Sequence, residues 1–354
     1  MAGCPDSSFP LQLPFASERI LRIGMTENPN RFAIGVDLGG TNMRIAAVDL
    51  SGKQLELITT STEVKRGRDY VVSEMCDAIR ALRKKFEMRY EFAGTGIGVP
   101  GIIDMETGTV YQSPNLPDWT NYPVRNEIER RLGATVILEN DANVAALGEK
   151  WMGAARDVDS MCMFTLGTGV GSGIVLEGKI WHGMMGMAGE CGHISILPDG
   201  VQCGCGNRGC VEQYASATAV KRMAIEAIAT GKAPELARAM SENPEFSSKV
   251  VFQYAAQGDA AARQIFEVVG RSLGMAIAIM INALNLPMYV IGGGAASGWE
   301  AFAPTMFVEL RKRSYIYVAT EPNEQLPARK HTLIKRALLG SDAGLVGAAR
   351  LALM

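Results

Sequence analysis

The chain has 354 residues, of which 47% are hydrophobic, and a formal net charge of −2. This length and composition allow a sizeable core, divided over more than one domain. Basic and acidic residues are mixed along the chain, so composition gives no reason to expect nucleic acid or an anionic membrane as a partner. No apolar run reaches the roughly eighteen residues that span a bilayer, and the first thirty residues lack a secretory pattern. We therefore expect a cytoplasmic protein with a loose leader over residues 1–30.

The elements of the first half alternate between strand and helix patterns. The stretch RFAIGVDLGGTNMRIAAVDLSGKQLELITT predicts an antiparallel meander whose first turn lies at Gly39-Gly40. A helix is predicted from about Tyr70 to Phe86, and the buried strand EFAGTGIGVPG follows it. The strand ATVILEN then leads directly into a helix, DANVAALGEKW, which begins at Asp141.

The second half repeats this design. The stretch MCMFTLGTGVGSGIVLEGKI is again strand, Gly-rich turn and strand, about 130 residues after the first hairpin, and it indicates an internal duplication. The chain is then mostly helical from about Ser216 to Leu284. A strand, Gly-rich turn and helix follow in LPMYVIGGGAASGWEAF, and the tail gives a strand and a final apolar helix. Alternating strands and helices predict α/β layers.

Three Gly-rich turns are candidates for phosphate binding: Gly39–Thr41, Leu166–Gly173 and Gly292–Gly294. Glycine lacks a Cβ, so the N–H groups of such turns can approach an anion closely. Each turn alone is equally well explained as a plain hairpin or as close backbone packing, but three together favour phosphate. Asp37, at the end of the first strand, could hold Mg²⁺ directly or through water.

Two familiar nucleotide motifs are matched only superficially. Gly96, Gly98 and Gly101 have the G-x-G-x-x-G spacing, but Pro100 lies inside it and no helix pattern follows. Gly178-Lys179 resembles the end of a P-loop, but a hairpin surrounds it and the next residue is isoleucine. Phosphate binding must therefore depend on the backbone turns and a metal ion.

Asp141 has two interpretations. In isolation, an Asp where a strand ends and a helix begins is best explained as the helix N-cap. That edge of an α/β sheet is also where ligands collect. With phosphate turns on both sides in the sequence, Asp141 becomes a candidate general base that accepts the proton of an attacking hydroxyl.

A histidine and three cysteines form a candidate metal site. His193, Cys203, Cys205 and Cys210 supply one nitrogen and three thiolates, a closed tetrahedral set that predicts a structural Zn²⁺. Cys191 is the one rival ligand, and a loop of reduced cysteines is the alternative. The seven cysteines of so long a chain do not indicate a disulfide scaffold.

The carboxylates of Glu190 and Glu212 bracket this metal loop. A bound ion would fix the segment between them and so orient both carboxylates, while the second ring nitrogen of His193 could donate to a ligand. A sugar offers hydroxyls that suit such groups. Two solvated surface glutamates are the alternative interpretation.

These residues together resemble the ROK family (repressors, open reading frames and kinases), in particular its bacterial glucokinase-like sugar kinases. The matching motifs, in order, are DLGGTN, GVPG, SPNLPDW, LENDAN, LGTGVGSGIV, GMAGECGH and CGCGNRGCVEQ. The resemblance implies a two-lobed actin-like ATPase (ribonuclease H-like) fold, with a duplicated α/β core and a cleft between the lobes. It also implies ATP-dependent phosphorylation of a hexose hydroxyl, usually at C6, and a homodimer.

The resemblance also implies roles for individual residues. Asp141 would be the catalytic base, and Asn115, Asn140, Glu190, His193 and Glu212 would join it in binding the sugar. The zinc set would again be His193, Cys203, Cys205 and Cys210. The nucleotide-binding residues would be Gly39, Gly40, Thr41, Asn42, Gly167, Thr168, Gly169, Gly171, Gly173, Gly293 and Gly294.

The expected domains are a small lobe over 31–140 with the C-terminal helix at about 341–354, and a large lobe over 141–340 that carries the zinc loop 190–212. The expected substrates are glucose and ATP. Mannose, N-acetylmannosamine and N-acetylglucosamine stay open as sugars, and polyphosphate stays open as donor. A sugar-sensing transcriptional regulator is the alternative from another class. It would need a helix-turn-helix module ahead of DLGGT, and we expect none in the thirty residues there.

Overall fold

The computed structural model describes residues 30–113 and 115–354. The predicted leader therefore lies outside the described residues except for Asn30. The strands, in chain order, are β1 (Arg31–Leu38), β2 (Asn42–Asp49), β3 (Gln54–Ser61), β4 (Glu91–Val99), β5 (Ile102–Asp104), β6 (Thr109–Gln112), β7 (Ile137–Asn140), β8 (Met161–Leu166), β9 (Val170–Leu176), β10 (Lys179–Ile180), β11 (Met288–Gly292) and β12 (Leu333–Arg336).

Eleven α-helices connect these strands within the described ranges. They are α1 (Arg68–Phe86), α2 (Val124–Leu132), α3 (Asp141–Trp151), α4 (Glu212–Ala215), α5 (Ala217–Ala229), α6 (Pro234–Glu242), α7 (Ser248–Gln257), α8 (Ala260–Leu284), α9 (Trp299–Arg313), α10 (Tyr315–Thr320) and α11 (Ala343–Leu353). The predicted strand and helix types agree with the observed ones, and α1 begins two residues earlier than the pattern suggested.

Two five-stranded sheets repeat one topology. The first has the strand order β3-β2-β1-β4-β7 and the second has the order β10-β9-β8-β11-β12. In each sheet the first three strands form an antiparallel meander, and the last two join it in parallel. The duplication that the two Gly-rich hairpins indicated is therefore present in the topology of both sheets.

The first sheet is covered by a helix on each face. Alternate residues of β1 point to opposite faces. Phe32 and Ile34 pack in one cluster with Met75 of α1, whereas Ala33 packs with Leu345 of α11 on the other face. A strand buried on both sides needs apolar residues at nearly every position, and this explains the run without a charged residue from Phe32 to Val36 in β1.

The second sheet is built in the same way. Phe164 of β8 faces a large cluster that includes Ile277 of α8, and Met163 faces Ala146 of α3. Helix α8 has the length and apolar composition of a membrane span, but 67% of its most apolar window is buried within the protein. It is therefore the central core helix of this half.

Helices α3 and α11 pack against each other between the two sheets. A Cβ added at Gly347 would lie 1.7 Å from the carbonyl oxygen of Val144, and one at Gly148 would lie 2.1 Å from that of Ala343. Only glycine permits so close a backbone approach. The fully buried Glu149 fastens the same region, because its carboxylate accepts the N–H groups of Leu338 and Leu339 at 3.1 and 2.7 Å.

Candidate active site

In the first Gly-rich turn, the carbonyl groups accept hydrogen bonds from the protein. The N–H of Gly39 donates to Asn42 O at 2.9 Å, and Thr62 donates through Oγ1 to Gly39 O at 2.6 Å and through its N–H to Thr41 O at 2.9 Å. Among the described residues, the N–H groups of Gly40 and Thr41 have no protein acceptor. The turn therefore presents donors, which is the arrangement that a phosphate needs.

The second and third turns lie against each other. Gly167–Gly169 join β8 to β9, and a Cβ added at Gly293 would lie 2.5 Å from the carbonyl oxygen of Leu166. Gly293 has φ of 84°, which favours glycine. The carbonyl of Gly167 accepts from Ala217 at the start of α5, at 2.9 Å. Both turns thus meet at the carboxyl ends of β8 and β11.

Asp141 is the first residue of α3, and Asn140 is the N-cap of this helix. The Asn140 Oδ1 atom accepts from Ala142 N at 2.9 Å and from Asn143 N at 3.2 Å. The interpretation of Asp141 as the N-cap was therefore wrong by one residue. The physical reason is that Asn140 has the extended backbone of a cap, with φ of −68° and ψ of 144°. The Asn140 side-chain amide also donates one of its two N–H groups to Gly101 O at 3.1 Å.

The carboxyl group of Asp141 has a raised pKa. Burial and the neighbouring Asp37 and Glu190 carboxylates together raise its pKa to about 7, although the hydrogen bond from Ala142 N opposes them. Burial also raises the pKa of Asp37, against the lowering effect of Arg44. Asp37, Asp141 and Glu190 therefore come from three separate elements and share one electrostatic site. A carboxyl group with a pKa near neutrality is suited to general base catalysis.

The other predicted sugar ligands lie at three places, and Glu190 among them influences the pKa of Asp141. Glu190 and His193 lie on one 3-10 turn, in which His193 N donates to Glu190 O at 3.1 Å. Glu212 begins α4, and its Oε2 accepts from Val170 N at 3.0 Å beside the second Gly-rich turn. Asn115 lies over the first turn, 3.0 Å from the position of a Cβ on Gly40.

The four predicted zinc ligands converge. The ligand atoms of His193, Cys203, Cys205 and Cys210 all lie within 4.8 Å of one another. His193 Nδ1 is 3.7 Å from Cys203 Sγ, and Cys205 Sγ is 3.7 Å from Cys210 Sγ. Sulfur atoms about 2.3 Å from a tetrahedral zinc ion are about 3.8 Å apart, so the spacing fits.

Cys191, the rival ligand, points elsewhere. Its sulfur is buried and contacts Met280 Sδ at 3.7 Å. Because Nδ1 of His193 faces the thiolates, its Nε2 is the ring nitrogen left for another partner. Cys191 is therefore not part of the candidate metal site.

Two features of the site were not found in the sequence. The first is a hydrogen-bonded pair between the buried Glu139 and His182, whose Nε2 is 2.6 Å from Glu139 Oε2. The second is a pocket beside the third Gly-rich turn, lined among others by Lys249, Phe252 and Ser297. Both join distant segments, and neither has a local motif that could have revealed it.

The comparisons with known proteins agree with this arrangement. The ROK family model matches residues 33–354. The chain is 37% identical over 322 residues to a glucokinase of Thermotoga maritima, covering 91% of this chain and 97% of the relative. It is 36% identical over 320 residues to a glucokinase of Halalkalibacterium halodurans, covering 90% and 94%.

A solved structure supports the same assignment. A ROK family glucokinase from Streptomyces griseus, in complex with glucose and AMPPNP, superposes with a TM-score of 0.73 at 34% identity, covering 91% of this chain and 99% of that one. Two similar sheets beside a carboxylate and Gly-rich turns define a phosphotransferase of the actin-like ATPase class, and the predicted fold is confirmed. The chain belongs to the ROK family.

Proposed function

We propose that this protein transfers the terminal phosphoryl group of ATP to the 6-hydroxyl of glucose, with Asp141 as the general base. The chain is an ATP-dependent glucose kinase, as its identity of 36–37% to two glucokinases over 90% or more of its length supports. The single observation that carries the mechanism is Asp141, a half-buried residue whose carboxyl group is desolvated and has its pKa raised to about 7.

The proposed step is an in-line displacement. The ionised Asp141 takes the proton of the sugar hydroxyl as its oxygen forms a bond to the terminal phosphorus. The bond from that phosphorus to the bridging oxygen breaks, and ADP leaves with the electron pair. Asn115, Asn140, Glu190, His193 and Glu212 would hold the sugar so that the attacking hydroxyl meets Asp141.

The three Gly-rich turns would hold the nucleotide. The free N–H groups of Gly40 and Thr41 would face the phosphates, as would the turns Gly167–Gly173 and Gly293-Gly294. The pocket next to Gly294 has Phe252 and Phe266 as apolar walls and Lys249 at its edge, and this composition suits a nucleoside. Polyphosphate has no base or ribose that could contact these aromatic walls, so we expect ATP to be the better donor.

Two metal ions complete the proposal. Mg²⁺, when bound, neutralises charge on the transferred phosphoryl group. Asp37 would hold it; the proximity of Asp37 to Asp141 and to the first turn supports this assignment. The His193, Cys203, Cys205 and Cys210 set fits Zn²⁺, which would leave no open ligand position and so would be structural. Its role would be to fix the segment from Glu190 to Glu212.

The remaining expectations are a homodimer and a cytoplasmic location. Sedimentation of the purified protein tests the first. A sugar-responsive regulator is the competing function, and a gel-shift at low salt tests it, because non-specific DNA binding is strongest there.

The experiment that tests the proposed activity is a coupled assay over several hexoses and two donors. Glucose, mannose, N-acetylglucosamine and N-acetylmannosamine are each supplied with ATP and with polyphosphate. We expect the highest kcat/KM for glucose with ATP. A higher kcat/KM for an N-acetylhexosamine, or for polyphosphate, would reassign the substrate while keeping the family.

A further inference from the structure

Both oxygens of the buried Glu139 carboxylate accept hydrogen bonds from within the protein. Its side chain is 2% exposed, and its Oε1 accepts from Asn140 N and from Asn143 Nδ2, each at 2.9 Å. Its Oε2 accepts from His182 Nε2 at 2.6 Å. A buried carboxylate is tolerated only with such partners. Both oxygens of Glu139 are therefore engaged by groups of the protein itself.

The pair joins the two halves of the molecule. Glu139 lies in β7 at the edge of the first sheet, one residue before Asn140. His182 comes shortly after β10, at the edge strand of the second sheet, and it begins a loop that closes where Ala188 N donates to His182 O at 3.1 Å. Two residues beyond that closure lies Glu190.

The same loop touches the first half at a second point. A Cβ added at Gly186 would lie 2.6 Å from Met105 Cγ and 3.2 Å from Ile103 O, in and beside the β5–β6 hairpin. The loop from His182 to Gly189 is thus held against the first half at both Glu139 and Met105. Its downstream end carries Glu190, whose charge already raises the pKa of Asp141.

We infer that Glu139 and His182 are a positioning pair for the sugar site. Their hydrogen bond sets the distance between the segment that carries Asn140 and Asp141 and the segment that carries Glu190 and His193. The inference rests on the proposed sugar site. It assigns neither residue a contact with substrate, because both act through the backbone segments that they join.

A comparison with Glu149 distinguishes this role from a purely structural one. Glu149 offers a matched comparison, because it is also a buried carboxylate whose oxygens accept hydrogen bonds, and it lies at the other end of α3. The carboxylate oxygens of Glu149 accept from backbone N–H groups near Ala154 and Leu338. Glu149 has no hydrogen bond to the described loop that leads to Glu190. Loss of Glu149 should lower stability, whereas loss of the Glu139–His182 bond should change glucose binding.

The test compares Glu139→Gln, His182→Ala, His182→Gln and the double variant Glu139→Gln/His182→Gln, with Glu149→Gln and His331→Gln as matched controls. His182 is 39% exposed, so its variants should fold. We expect His182→Ala and Glu139→Gln to lower kcat/KM for glucose by about ten- to a hundredfold, as displacement of reacting groups by about 1 Å does. KM for ATP should change by less than about twofold.

Rescue and coupling are the decisive readouts. His182→Gln keeps an N–H donor and should recover part of the loss that His182→Ala causes. The double variant should lose no more than Glu139→Gln alone, because that substitution has already removed the carboxylate acceptor of the bond. His331→Gln should behave as wild type, and Glu149→Gln should lower Tm with KM for glucose unchanged. The inference is overturned if the losses multiply, or if KM for glucose and for ATP rise together in step with a lower Tm. If the wild-type protein itself fails to phosphorylate glucose, the proposed function fails instead.

Discussion

The activity should fall steeply as the pH drops below neutral, because the proposed base titrates there. Burial and the neighbouring Asp37 and Glu190 carboxylates raise the pKa of Asp141 to about 7. A general base acts only when ionised, so kcat/KM for glucose should follow the ionised fraction of Asp141. That fraction is about 0.9 at pH 8 and about 0.1 at pH 6. We therefore expect a loss of about tenfold between these two pH values.

The assay is the initial rate of ADP formation at saturating ATP and limiting glucose, at constant ionic strength. ATP ionises in a nearby range, so the residual activity of Asp141→Asn is followed across the same pH values as a control. The wild-type profile should bend near pH 7, and the variant profile should lack that bend. A wild-type profile that stays flat down to about pH 5, where an ordinary aspartate is still ionised, would refute the tuned base.

Three further predictions concern stability and the metal site. A carboxyl group whose pKa is raised by folding destabilises the folded protein at pH values above the pKa that it has in the unfolded chain. Asp141→Asn removes this cost, so it should raise the free energy of unfolding at pH 7 by at most about 4 kcal/mol. In denaturant titrations this gain should vanish as the pH is lowered toward 4. Cys205→Ser should lower both zinc content and glucose affinity, and unchanged affinity after loss of zinc would contradict the orienting role. Gly347→Ala should lower stability by about 1–3 kcal/mol in the same titrations, because its Cβ would meet Val144 O, and an unchanged Tm would show that α3 and α11 separate easily.

Much of the fold could be predicted from the sequence because its signals are local. The apolar runs on both sides of Gly39-Gly40 and Gly167–Gly169 identify both hairpins, and their similarity indicates the repeated sheet. The candidate metal set could also be predicted, because one histidine and three cysteines are a residue combination typical of zinc, and their ligand atoms converge in the structure. The rival Cys191 could be removed only by the fold, which buries its sulfur against Met280.

The helix cap and the buried carboxylate contacts could not be predicted, because they depend on which residues meet in the folded protein. Asn140 and Asp141 both carry an oxygen that can cap a helix, and only the backbone angles show which of them does. The Glu139–His182 bond joins residues 43 positions apart, and Glu149 reaches residues 189 and 190 positions away. No periodicity or spacing encodes such pairs, because they arise when the two sheets come together around α3.

The most direct test of the central claim is to measure the turnover of Asp141→Asn together with its affinity for glucose. The substitution keeps the size and the hydrogen-bond acceptor of the side chain and removes its ability to take a proton. We expect kcat to fall by about 10²- to 10⁴-fold, with the glucose Kd from calorimetric titration near the wild-type value. Turnover close to wild type would show that another group accepts the proton and that Asp141 is not the base.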